Sequence, residues 1–190
     1  CDRCGYSALN RYFGKLMNRQ IKDIKEQIGL KFSGFDSSSD KEIFTYDDAV
    51  TRYQLALVTA IVKKAKSSER AYTCLKYAWV LRGKRQFLTS KPEGIRPEEI
   101  RSLYGDELEC LKNAYEGFLQ AISTETFPIA GMDENTLNYL LADLARRLGR
   151  NEEALRLLSD VITSRTASSR MKDEALKIKE LIRESIKNKN

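Results

Sequence analysis

The residues best suited to chemistry open the sequence as Cys1-Asp2-Arg3-Cys4-Gly5-Tyr6. Two thiolates at this spacing can grip one zinc ion, with the glycine letting the knuckle turn back. A structural zinc takes four ligands. The sequence has four cysteines and no histidine. The other two cysteines, Cys74 and Cys110, fall inside predicted helices as small core residues. Cys1 and Cys4 therefore make half a metal site, the C-terminal half of a zinc knuckle over residues 1–6. Three readings stay open. A second cysteine pair upstream of residue 1 completes a structural zinc site, or two chains share a metal, or the motif is vestigial and holds no cofactor. A chain opening on cysteine reads as a fragment of a longer product. Redox use of C-x-x-C belongs at a helix start in a thioredoxin-like α/β unit, and no such unit is visible. A mature lipoprotein also begins with cysteine, but the second cysteine and Gly5-Tyr6 fit a zinc knuckle better.

Without histidine, a Ser-His-Asp or Cys-His pair is impossible within these residues. Met132-Asp133-Glu134 places two carboxylates near Tyr139, and paired carboxylates do acid–base work when their environments differ. Asp133 is better explained as a helix cap. The chain is read as non-enzymatic, with no catalytic residue.

The elements that must position these groups are helical. Composition is globular, 42% hydrophobic and 32% charged, with three prolines in 190 residues. The first helix is expected over Ser7–Ile28, capped by Ser7 and stopped by Gly29. A loop over Ser33–Asp40 follows. Helices are then expected from Asp47 to Lys66, broken by Ser67-Ser68-Glu69, and on to Phe87. After a loop with Pro92 and Gly94, a long helix runs from Pro97 to Ser123. Asp133 caps a helix to Leu148, Gly149-Arg150-Asn151 turns into another to Ser164, and a last helix runs from Ser169 to the end, with a frayed tail at Lys187–Asn190. The second helix is given a core stripe of Val50, Tyr53, Leu57, Ala60 and Ile61. The third has Ala71, Leu75, Ala78, Trp79 and Leu81 as its apolar positions. No strand-type alternation persists.

Spacing points to an all-α fold of TPR-like antiparallel helical hairpins, about seven helices over residues 7–190. Residues 135–165 match a tetratricopeptide repeat best: Leu141-Ala142 and Ala145 on the first helix, Gly149 at the turn, Ala154, Leu158 and Val161 on the second. Ala142 and Ala154 must be small where the axes approach, and Leu158 fills the space they leave. Looser copies lie upstream, in Tyr77-Ala78 and Leu81, in Ala114, Phe118 and Ala121, and in Ala49, Tyr53 and Ala56. The last helix, 169–190, suits a cap, with Met171, Ala175, Ile178, Leu181, Ile182 and Ile186 on one side.

In such hairpins the first helix of each pair lines a concave face. Spacing turns Tyr72, Leu75, Trp79 and Arg82 outward in one, and Thr136, Tyr139, Asp143, Arg146 and Arg147 in another. Aromatics and arginines anchor interfaces, and arginines hold carboxylates bidentately. A protein or peptide partner is expected. The alternative is a zinc-ribbon regulator that associates with nucleic acid; the formal charge of +6 is mild, with bases interleaved among acids. No apolar run reaches the ~20 residues that span a bilayer, so the chain is expected in the cytoplasm, with no membrane contact.

Four segments resemble an uncharacterised bacterial family, domain of unknown function 2225. They are Cys1-Asp2-Arg3-Cys4-Gly5-Tyr6, then Arg52-Tyr53-Gln54-Leu55-Ala56-Leu57, then Tyr77-Ala78-Trp79, then Phe127-Pro128-Ile129-Ala130-Gly131-Met132-Asp133-Glu134. The last leads into Leu137-Asn138-Tyr139-Leu140 and Arg146-Arg147-Leu148-Gly149. The likeness covers most of the chain except roughly residues 15–45. It implies a zinc-ribbon-like segment followed by TPR-like helices, a first cysteine pair ahead of this chain, and no known reaction. Asp2 stands where the family often has proline.

Overall fold

The computed structural model describes residues 1, 3–35, 44–90 and 96–187. Asp2, the loop residues from Asp36, Pro92 and Gly94, and the tail from Asn188 lie outside the described residues. Among the described residues the chain is all-α, with seven helices and no strand. The helices are α1 (Asn18–Ile24), α2 (Tyr46–Val62), α3 (Ser67–Thr89), α4 (Pro97–Thr124), α5 (Glu134–Arg147), α6 (Asn151–Thr163) and α7 (Ser169–Lys187). They fall into two compact units, residues 1–117 and 118–190, with the boundary inside α4.

The first unit departs from expectation at its start. Instead of a helix over Ser7–Ile28, there is a single 3-10 turn at Asn10–Tyr12, then α1, then a π-helical turn at Lys25–Gly29. The Ser7 hydroxyl donates to the Gly5 carbonyl at 3.2 Å rather than capping a helix. Burial explains the break. Tyr6, Ile24 and Ile28 form a small core against which Cys4, Ala8, Leu16, Leu55 and Val62 pack. A continuous helix from Ser7 would carry Ala8 away from it, and packing outweighs helix propensity.

Thr45 caps α2. Its hydroxyl accepts from the Asp48 backbone N–H at 3.2 Å, and the Asp48 carboxylate accepts from Thr45 N–H at 2.9 Å, a reciprocal capping box. The helix ends at Val62, and Lys64 takes φ +52°. Ser67-Ser68-Glu69 is therefore the first turn of α3, not a break. Glu69 suits that position through the helix dipole and meets Lys63 Nζ across the turn at 2.6 Å. The α2 stripe is rotated from the expected one: Ala56, Thr59 and Ala60 are buried, and Ile61 is exposed.

Helices α2 and α3 run antiparallel. Tyr53 stacks on Tyr77 with centroids 6.3 Å apart, and Tyr46 packs against Phe87. Gly83 makes the latter approach possible, since a Cβ there would lie 2.8 Å from the Tyr46 ring. Helix α4 returns along α3. At one end a Cβ on Gly117 would come within 2.9 Å of Ala71 Cβ. Further along, Glu107 of α4 meets Arg82 and Arg85 of α3.

The second unit follows expectation closely. The Asp133 carboxylate accepts from Thr136 N–H at 2.7 Å and caps α5. At the other end Gly149 takes φ +76°. Arg150 N–H then reaches the Ala145 carbonyl at 2.8 Å, and Gly149 N–H reaches that of Arg146 at 3.1 Å. These are the two bonds of a Schellman turn. Helix α5 packs on α6, and α6 on α7. Ala142, Ala145, Ala154, Leu158 and Val161 are wholly buried, as the small–large spacing requires. Ala175 and Ile182 are the buried residues of α7, while Leu181 is exposed, against expectation.

Candidate functional site

The knuckle is built by one backbone bond and one glycine. Gly5 N–H donates to the Cys1 carbonyl at 2.9 Å. Gly5 sits at φ +67°, where a Cβ would press into Phe32 at 2.8 Å, so only glycine serves. The turn brings Cys1 and Cys4 to 3.4 Å, with both thiols free. Two cysteines held this close can supply two ligands to a tetrahedral zinc, which takes thiolates at ~2.3 Å. Among the described residues no cluster of three or more His, Cys, Asp or Glu surrounds a metal position. Cys74 and Cys110 are buried, as expected. Burial pushes the Cys74 thiol up to about 11 and the Cys110 thiol up to about 12.

On α3 the expected outward residues divide. Trp79 is 46% exposed, whereas Leu75 is buried. The register explains this, because Leu75 shares its face with Ala71 and Ala78, both buried in the core. Tyr72 and Trp79 belong to a ladder of alternating cations and rings. Arg11 Cζ lies 4.8 Å from the Tyr72 ring centre, and Lys76 Nζ lies 5.4 Å from that of Tyr72 and 4.0 Å from that of Trp79. Neither Arg11 nor Lys76 has a carboxylate partner among the described residues. Arg82 turns away from this ladder's role. Its Nε donates to Glu107 Oε1 at 2.6 Å, and Glu107 is buried. Arg85 closes on the other oxygen at 3.0 Å. Arg11 and Lys76 escaped the sequence reading; the i, i+4, i+7 spacing of Tyr72, Lys76 and Trp79 is the signal that marks the lysine.

In the second unit Asp143 is gripped from two sides. Arg146 Nη2 reaches Asp143 Oδ1 at 2.7 Å, and Arg147 Nε reaches Oδ2 at 2.6 Å. Burial pushes the Asp143 carboxyl up, but the bonds from Arg147 and Arg146 outweigh it and hold the group below the usual range. Tyr139 shares the helix; burial, then the nearby charges of Glu174 and Asp143, push its hydroxyl up. The local sum is one positive charge on two immobilised guanidinium groups. Thr136, also expected outward, gives its backbone N–H to the Asp133 cap.

One concave feature was missed altogether. A cleft of 430 Å³ lies in the first unit, walled by Tyr6, Phe13, Phe35, Tyr53 and Ala56, with Arg52 among its lining. Its sequence signal is faint: Phe35 within a Gly/Ser loop, and Arg52 beside Tyr53.

No curated protein and no solved structure matches the chain. A family profile described as an uncharacterized protein conserved in bacteria matches residues 1–188, and the chain belongs to that family, DUF2225.

Proposed function

We propose that this DUF2225 protein is a non-enzymatic scaffold whose TPR-like hairpins hold a protein or peptide partner. The observation that carries the reading is the ladder Arg11–Tyr72–Lys76–Trp79. It presents two cations without carboxylate partners among the described residues, beside a tryptophan 46% exposed. Exposed aromatic side chains flanked by cations anchor partners through apolar burial and charge-assisted bonds. The chemistry fits a segment carrying acidic and apolar side chains. The Arg146–Asp143–Arg147 group, with Tyr139, is a second basic and aromatic surface, in the other unit, although both arginines there are paired with Asp143.

Cys1 and Cys4 would serve as half of a structural zinc site whose other ligands come from outside the described residues. Zinc there would fix the knuckle and supply no reaction. The high pKa of Cys74 and Cys110 supports a packing role for those thiols, since the thiolate is the reactive form.

The test is capture from bacterial lysate by the native chain and by the double variant Lys76→Ala, Trp79→Ala. Loss of specific partners from the variant supports the reading. An unchanged set of captured proteins overturns the ladder as the binding surface. If capture instead depends on nucleic acid and collapses with modest salt, the nucleic-acid alternative takes its place.

A further inference from the structure

We infer that the 430 Å³ cleft beside the knuckle is a binding site for an apolar monocarboxylate, held by Arg52. The argument starts from what the lining offers. Among the described lining residues Arg52 is the one charged side chain, with no aspartate or glutamate beside it. Aromatic rings make much of the walls, from Tyr6, Phe13, Phe35 and Tyr53, with Ser7 and Asn10 adding polar groups. The volume falls in the ~300–1,000 Å³ range of small-ligand sites, which pair apolar walls with a few placed polar groups.

Arg52 itself is held for this purpose. Its Cζ lies 4.3 Å from the centre of the Phe35 ring and 4.5 Å from that of Phe44. Stacking on rings occupies the faces of a guanidinium and leaves its N–H donors in the plane. Those donors have no carboxylate or hydrogen-bond acceptor among the described residues. An arginine in this state is a preoriented fork for a two-oxygen anion. A single positive charge matches a carboxylate better than a phosphate, which carries nearly two negative charges at neutral pH. The four aromatic rings favour an apolar group on the rest of the ligand. A peptide ending in an apolar residue and a free aromatic or aliphatic acid share this chemistry.

The experiment titrates N-acetyl-phenylalanine and its neutral amide into the full 190-residue chain, followed by calorimetry or ligand-observed NMR. The acid is expected to bind at least about tenfold more tightly than the amide, the scale of a lost charge-assisted bond. Arg52→Gln should reduce the acid to the level of the amide, while Arg170→Ala, at an exposed arginine of the other unit, leaves it unchanged. Short peptides with free and amidated C-termini form the second arm. A free-terminus peptide that outbinds the acid marks a peptide terminus as the natural ligand; the reverse order marks a free acid. Equal binding of acid and amide overturns the inference, as does the absence of binding at millimolar acid. The acid-to-amide ratio on the unaltered chain decides the question even if Arg52→Gln fails to fold. Failure here leaves partner capture through Lys76 and Trp79 untouched, so the two readings fall separately.

Discussion

Arg82 Nε sits 2.6 Å from Glu107 Oε1, and this bond ties Arg82 into the joint between α3 and α4 rather than leaving it for the proposed binding surface. Glu107 is 3% exposed, so it depends on Arg82 and Arg85 for its charge. Replacing one member of a buried pair leaves the other uncompensated. Glu107→Gln is expected to cost about 3 kcal/mol, the low end of the usual range because both arginine side chains are partly exposed. Urea unfolding should show this as a lower midpoint with unchanged slope. Arg82→Ala should lower stability and leave partner capture through Trp79 intact; selective loss of capture in a fully stable variant would restore Arg82 to the surface.

The thiols divide in the same way. Cys1 is exposed, while Cys74 and Cys110 are buried with pKa values pushed up to about 11 and about 12. At pH 8 a thiol with a pKa of about 11 is on the order of one part in a thousand thiolate, and thiolate is the species that reacts. Iodoacetamide on the metal-free native chain should label Cys1 and spare Cys74 and Cys110. All four should label in denaturant. Rapid native labelling of Cys110 would show that the α4 core opens easily.

Gly117 is a further test of the α3–α4 joint. It faces Ala71 so closely that an added Cβ would stand 2.9 Å from the Ala71 Cβ. On an exposed helix, Gly→Ala stabilises by about 1 kcal/mol. Here overpacking costs about 1–3 kcal/mol, so the sign should reverse and Gly117→Ala should melt at a lower temperature. Gly105 is the control, because a Cβ there meets nothing within 4 Å. Gly105→Ala should raise the melting temperature.

These positions show where the sequence was legible. The second unit was readable because each signal is local. Asp133 caps within three residues, Gly149 turns within three, and Ala142, Ala154 and Leu158 repeat a short code. The first unit resists because its decisive contacts are distant. Ala8 leaves the expected helix to pack against Tyr6, Ile24 and Ile28. Arg82 has the spacing of a surface residue, and only the approach of Glu107, 25 positions away, takes it inside. The cleft needs Phe13, Phe35 and Tyr53 brought together from three segments, and no periodicity connects them.

Acid should loosen the chain through Asp133 and Asp143. The Asp133 carboxyl is lowered chiefly by the Thr136 backbone N–H it caps. In Asp143 the Arg147 and Arg146 bonds overcome the upward push of burial. A carboxyl whose folded pKa lies below its unfolded value binds fewer protons in the native state. Its stabilisation is full above the unfolded pKa of ~4 and is lost as pH falls through the folded pKa. Asp133→Ala should cost about 1 kcal/mol at pH 7 as a lost cap. Asp143→Asn should cost up to about 1 kcal/mol, since the ion pairs are partly solvated. Both deficits should shrink in melts taken well below pH 4, where the native chain has lost the same interactions. Deficits of equal size at pH 7 and in acid would show that neither carboxylate contributes through its charge.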